Sequence, residues 1–196
     1  TVATVRARIW AIAQGPYRYQ AQVYFLNLSG MSGTYIDFPG HIVATDDGTH
    51  AGNAPLENLF RVPATVIRLD RANGSGGISA DELRRAVPGS VTGGALVLNA
   101  LGHRRFDEVE SRTVYLLADA IDWIVRSGIR LFVSDVYESD SDPQNVFQRL
   151  FAGGIATVCL PVNLHRIADP HPRITALPLV VSGVTQLPCR VIAEWK

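Results

Sequence analysis

The segment Val114–Ser127, followed at once by the apolar run Ile129–Val133, constrains the fold of this chain most. Leu117, Ile121, Ile124 and Val125 recur at helical spacing on one face, and Gly128 supplies a helix stop. An amphipathic helix has to bury its apolar stripe, and an apolar strand directly after it offers the surface to bury it on. The same grammar repeats along the chain. Strands are predicted at Ala64–Asp70, Ala95–Leu101, Ile155–Leu160, Ile174–Val181 and Cys189–Glu194, with a short helix at Val146–Ala152 closed by Gly153-Gly154. Pro55–Leu59 begins a helical turn. Ser79, with Glu82 three residues on, has the form of a capping box opening a helix that ends by Pro88-Gly89. Near the N-terminus, Arg6–Ala13 and Gln20–Leu28 read as strands joined through Gln14-Gly15-Pro16, followed by a Gly-rich loop, Ser29–Gly40. Strands alternate with helices in the second half and pair as hairpins at both ends. The expected class is therefore α/β, a mixed β-sheet flanked by helices, with residues 1–196 forming a single domain.

Charge narrows the partners. The chain has 18 basic and 18 acidic residues, and its densest basic group is the pair Arg104-Arg105. No field points to nucleic acid or to an anionic membrane, and no apolar run has the length of a span. Asn73–Gly77 (NGSGG) is a turn without the lysine or spacing of a phosphate loop. The two cysteines, Cys159 and Cys189, lie in apolar surroundings and read as reduced thiols. A small-molecule substrate, a cytoplasmic location and a homodimer or higher homo-oligomer fit this balance.

The most informative segment is Met31-Ser32-Gly33-Thr34-Tyr35-Ile36-Asp37-Phe38-Pro39-Gly40-His41. It resembles the signature His-x-Gly-Thr-His-x-Asp-x-Pro-x-His of the cyclase family that includes bacterial kynurenine formamidase and isatin hydrolase. Gly33, Thr34, Asp37, Pro39 and His41 match, while Met31 and Tyr35 stand where the family has histidines. Further stretches are similar in order and spacing: Pro55–Asp70, Ile78–Arg105, Tyr115–Asp135, Gly153–Leu164 and Leu177–Ala193. The resemblance covers the chain from Met31 onward; the family's usual Asp-Leu-Ser/Thr opening is absent.

The resemblance implies a cyclase-like α/β fold and, in the family, a divalent metal held by the motif histidines, the aspartate and a later His and Glu. Such a metal polarises a carbonyl and lowers the pKa of its water. Here only Asp37 remains of the first group; the later His falls on Phe147 or, with a one-residue shift, on Gln148, and the Glu on Cys159. This ligand set predicts a degenerate metal site and no cofactor.

The resemblance places His41 beside the reacting centre, where an imidazole can move protons without a metal. Asp37 would orient it, and Tyr35 would stabilise an oxyanion or enolate. Met31, Phe38, His103, Phe147 and Cys159 are the expected substrate contacts. Glu138, Asp140 and Asp142 lack calcium-loop spacing and read as a solvated loop.

Three readings of function follow. The first is a metal-independent enzyme closing, dehydrating or isomerising a small cyclic or cyclisable amide, ester or polyketide-like substrate. The second is a non-catalytic, ligand-binding or structural relative. The third is a metal-dependent arylformamidase-type hydrolase.

Overall fold

A computed structural model describes residues 4–71, 73–105, 108 and 113–195. The chain opens with a hairpin, β1 (Thr4–Gln14) and β2 (Tyr17–Asn27), paired antiparallel along its full length. Gly15, with φ +58°, makes its turn. Then follow β3 (Tyr35–Asp37), β4 (Val62–Arg68), β5 (Gly76–Ile78), α1 (Ala80–Ala86), β6 (Ala95–Asn99), β7 (Val114–Leu116) and α2 (Ala118–Arg126). The remaining elements are β8 (Leu131–Ser134), α3 (Val146–Ala152), β9 (Ala156–Cys159), β10 (Arg173–Pro178) and β11 (Gln186–Glu194).

The expected mixed sheet is present, and it closes on itself. Seven strands form a barrel in the order β10-β11-β3-β9-β8-β6-β4. Pairing is parallel from β4 through β6 and β8 to β9, and antiparallel elsewhere. Closure rests on two β10–β4 residue pairs, Arg173 with Pro63 and Ile174 with Val62, extended by the amides of Ala64 and Val66 donating to the carbonyls of Pro172 and Pro170.

Side-chain size sorts the two faces of the barrel. Strand residues alternate between faces, and small ones fill the narrow interior: Val62, Ala64 and Val66 on β4, Ala95 and Val97 on β6, Ala156 and Val158 on β9. Their neighbours Ile67, Leu96, Leu98 and Phe132 point outward into a second core with Leu83 of α1, Ile121 and Ile124 of α2, and Val146 and Leu150 of α3. The strands are thus buried on both faces, which is why they read as continuous apolar runs.

Two boundaries differ from expectation. Val114–Leu116 is not the first turn of the long helix but strand β7, parallel to β5; the helix is confined to Ala118–Arg126. Within the expected Gly-rich loop, Tyr35–Asp37 is a strand between β9 and β11.

The predicted cap of α1 is half realised. Ser79 Oγ accepts from the Glu82 amide at 3.3 Å, but the Glu82 carboxylate turns to Arg71, at 2.8 and 2.5 Å, instead of returning to Ser79. Ser79→Ala is therefore expected to cost about 0.5–2 kcal/mol, as loss of an N-cap does. Urea unfolding monitored by circular dichroism checks this, and an unchanged midpoint would count against the cap.

Candidate functional site

The site lies on the outer, helix-facing side of the barrel, where β3 runs between β9 and β11 beneath α3. Gly33, with φ +71°, turns the chain into β3, and the Thr34 hydroxyl donates to the Leu160 carbonyl at 2.8 Å. That bond pins the start of β3 to the end of β9. Alternation then sends Thr34 and Ile36 to one face and Tyr35 and Asp37 to the other, with Tyr35 opposite Cys159 and Asp37 opposite Gln186. Pro39–His41 forms a single 3-10 turn against α3. Gly40 fits there because a Cβ would stand 2.6 Å from Asp46 Oδ1.

Asp37 is the centre of the arrangement. It is 2% exposed; the Cys159 thiol donates to Oδ2 at 3.7 Å, while Oδ1 is buried without a hydrogen-bond partner. Burial raises the carboxyl above its ordinary value, against the Gln186 amide, the nearby His41 charge and the Cys159 thiol, which favour the ionised form. Burial and the Asp37 charge push the Cys159 thiol well up, so it stays protonated at neutral pH. The same two causes push Cys189 up to about 12. Tyr137, whose hydroxyl donates to the Val158 carbonyl at 2.7 Å, is held neutral by burial and by the negative groups around it. Oxygen and sulfur acids crowd here, and they favour a single negative charge among them.

His41 is exposed at the rim. Its Nε2 lies 3.3 Å from Gln186 Nε2, and its ring meets Phe151 edge-on at 6.5 Å. Phe147 stacks on Tyr137 at 5.0 Å and leans on Phe151 at 6.0 Å. The fold therefore gathers Tyr35, Asp37, His41, Cys159 and Phe147 into one neighbourhood. Three expected contacts lie elsewhere. Met31 is 44% exposed in the turn before β3. Phe38, 1% exposed, packs in the barrel-interior core. His103 lines a cleft of about 300 Å³ with Asn99, Asp135 and His165. Cys159 and Cys189 are free thiols.

Sequence reasoning missed Gln186, Tyr137 and Phe151. Gln186 carries no motif, and only its register opposite Asp37 brings it in. The acidic loop has a structural role: Glu138 accepts from the amides of Gln144 and Val146 at 2.6 and 2.8 Å, securing the start of α3. Asp142 accepts from the Tyr115 hydroxyl at 2.8 Å.

Residues 4–141 match the family model named Cyclase. The chain belongs to the Cyclase family. The match begins in the β1–β2 hairpin, so that hairpin lies within the family despite its missing opening motif. No curated protein sequence matches the chain at significance. Solved structures share the fold. A structure described as a predicted metal-dependent hydrolase from Bacillus stearothermophilus aligns over 98% of both chains at 17% identity, with a TM-score of 0.69. Isatin hydrolase A from Ralstonia solanacearum aligns over 95% of this chain and 81% of its own at 16% identity, TM-score 0.67. An isatin hydrolase bound to the product analogue thioisatinate covers 96% of this chain and 81% of its own at 17% identity, TM-score 0.67. These relatives extend the likeness through β9, β10 and β11, past the end of the family-model match.

The site of this Cyclase-family chain does not fit a bound zinc or manganese ion. Around Asp37 stand the Tyr137 phenol and the Cys159 thiol, which burial keeps protonated, and among the described residues no three His, Cys, Asp or Glu side chains group to hold a metal. The orphaned Asp37 Oδ1 offers one hard ligand where such ions take three or four.

The burial of Asp37 has a measurable consequence. Because its folded pKa is raised, the folded chain holds a proton that the unfolded chain releases, in the window between the ordinary carboxylate value and the raised one. Stability contributed by this group is thus full below that window and falls as pH rises through it. Asp37→Asn should remove the loss and raise the thermal midpoint at neutral pH relative to wild type, while leaving it nearly unchanged in acid. An equal or lower midpoint at neutral pH would contradict this.

Proposed function

We propose that this chain is a Cyclase-family enzyme working by acid–base catalysis without a divalent metal. Its substrate would be a small cyclic or cyclisable amide, ester or polyketide-like compound, and the reaction a ring closure, dehydration or isomerisation. The observation that carries this reading is the buried Asp37 with one oxygen unpaired, placed beside Gln186 and His41. In this reading His41 moves the proton, being the accessible imidazole of the group. Asp37 and Gln186 hold its orientation. The Tyr35 phenol donates to negative charge developing on a substrate oxygen. The aromatic wall of Phe147, Phe151 and Tyr137 excludes water and suits a flat, apolar ring. Water attack is disfavoured, since no metal is invoked to make hydroxide at neutral pH.

Turnover of aryl formamides, cyclic amides and lactones by protein prepared with and without chelator tests the proposal. Activity that survives chelator and is lost in Asp37→Asn supports it. Activity that vanishes with chelator and returns with zinc or manganese would revive the metal-dependent arylformamidase reading. The aromatic stack where the family has a histidine favours the second reading, a ligand-binding relative, and saturable binding without turnover would establish that one.

The chain would act as a homodimer. Hairpin β1–β2 packs mainly against itself, and an isolated two-stranded ribbon is marginal in water. Ile9, Trp10, Tyr17, Tyr19, Tyr24 and Phe25 are exposed on it. The register puts Trp10, Tyr17, Tyr19 and Phe25 on one face and Ile9 and Tyr24 on the other, so a partner that wraps the ribbon would bury on the order of 600 Å², close to the roughly 800 Å² per partner of a standard interface. A second copy presents the same ribbon by two-fold symmetry. Sedimentation should give a dimer for wild type and a folded monomer for Ile9→Glu; a wild-type monomer at micromolar concentration would refute the arrangement.

A further inference from the structure

The geometry points to a second ligand site, at the open end of the barrel, that takes a small monoanion with an apolar body such as an aromatic or short aliphatic carboxylate. A cavity of about 610 Å³ opens there, on the face of β3 opposite Asp37. Its volume lies within the range of small-molecule pockets, and barrel mouths are a common place for them. The floor is made of interior positions, Val97 of β6, Val133 of β8, Ile174 of β10 and Val191 of β11. Three of these four are valines, so the barrel end keeps space that larger aliphatic or aromatic side chains would fill.

The rim is polar and positive. Arg166 and Arg190 both line the cavity, and among the described residues neither has an ion pair or side-chain hydrogen bond. Ser32 lines it too, and its Oγ is buried without a partner. A buried hydroxyl left unsatisfied is costly, and a ligand oxygen within the cavity would satisfy it. Two cations and a hydroxyl above an apolar floor match a carboxylate head on a hydrocarbon or aryl body. Among the described residues no acidic side chain lines the cavity. Thr34, which also lines it, is the residue that pins β3, and Tyr35 follows on the opposite face. The two sites therefore share β3 as a common wall, and the barrel-end site is separate from the Asp37 neighbourhood.

Binding is read without turnover, so this proposal stands or fails independently of the catalytic one. Calorimetric titration of the full chain with benzoate and with octanoate should show saturable binding of at least one of them. Benzamide, the uncharged isostere of benzoate, should bind about tenfold more weakly or worse, and so should the successful carboxylate to the Arg166→Gln/Arg190→Gln variant. Both arginines are exposed, and an unchanged thermal midpoint of the variant verifies its fold. Trp195 lines the same cavity. Its fluorescence should change along the same saturation curve and the change should be lost in Trp195→Phe. Three outcomes would overturn the site: no saturable binding of either carboxylate at millimolar concentration, equal affinity in the double-arginine variant, or binding abolished by Asp37→Asn. The last would place the anion at the other face of β3.

Discussion

His41→Ala is expected to lower turnover by about 10²–10⁴, the usual scale of general acid–base catalysis. His41 is exposed at the end of a 3-10 turn and contributes little to either core, so the variant should fold and keep its thermal midpoint. The loss should fall on kcat more than on KM, because proton transfer acts in the transition state and not in ground-state binding. Tyr35→Phe should cost less, at most the 10²–10³ associated with one oxyanion donor. Gln186→Leu tests positioning: it should lower kcat and shift the pH–rate profile, because the amide lies between the imidazole and the buried carboxyl. Unchanged turnover in His41→Ala would remove the proton carrier from the mechanism and leave the ligand-binding reading in its place.

Phe132→Ala should destabilise the chain by about 3–5 kcal/mol, the range for truncating a fully buried aromatic ring. Phe132 is 0% exposed on β8 and faces the helices. Its ring meets Tyr137 edge-on at 5.5 Å, and Tyr137 in turn stacks on Phe147 of α3. The void would therefore open directly behind the aromatic wall of the candidate site. Denaturant unfolding should show a lower midpoint at an unchanged slope. Activity at a temperature where the variant is still folded should also fall, because α3 loses its backing. A cost below about 1 kcal/mol would mean that the helix layer repacks freely, contrary to a close-packed interior.

Which parts of this were legible beforehand follows from the range of the interactions involved. Strands β6, β8 and β9 read plainly as apolar runs, since both of their faces are buried. Val114-Tyr115-Leu116 did not, because three apolar residues leading into a helix fit either period, and only the distant partner Gly76–Ile78 decides for strand. Strand β3 was hidden by the glycines around it and is made by its neighbours 120 and 149 residues away, as the pairing of Asp37 with Thr157 and with Gln186 shows. Barrel closure had no sequence mark; it depends on a short seam near Pro63 and on the carbonyls of Pro170 and Pro172. At the site, the motif located Asp37, Tyr35 and His41 because they are close in sequence, and the wider resemblance located Cys159. Gln186 is joined to them by register alone. Phe151 was concealed as one more apolar residue of a helix.

The alternation along β3 separates two inheritances in adjacent residues. Thr34 and Ile36 belong to the closure of the barrel, whereas Tyr35 and Asp37 face the candidate site outside it. Exchange of side chains on the outer set leaves the inner set, and with it the fold, untouched. A strand built this way lets the outer side chains vary without disturbing the ones that seal the barrel.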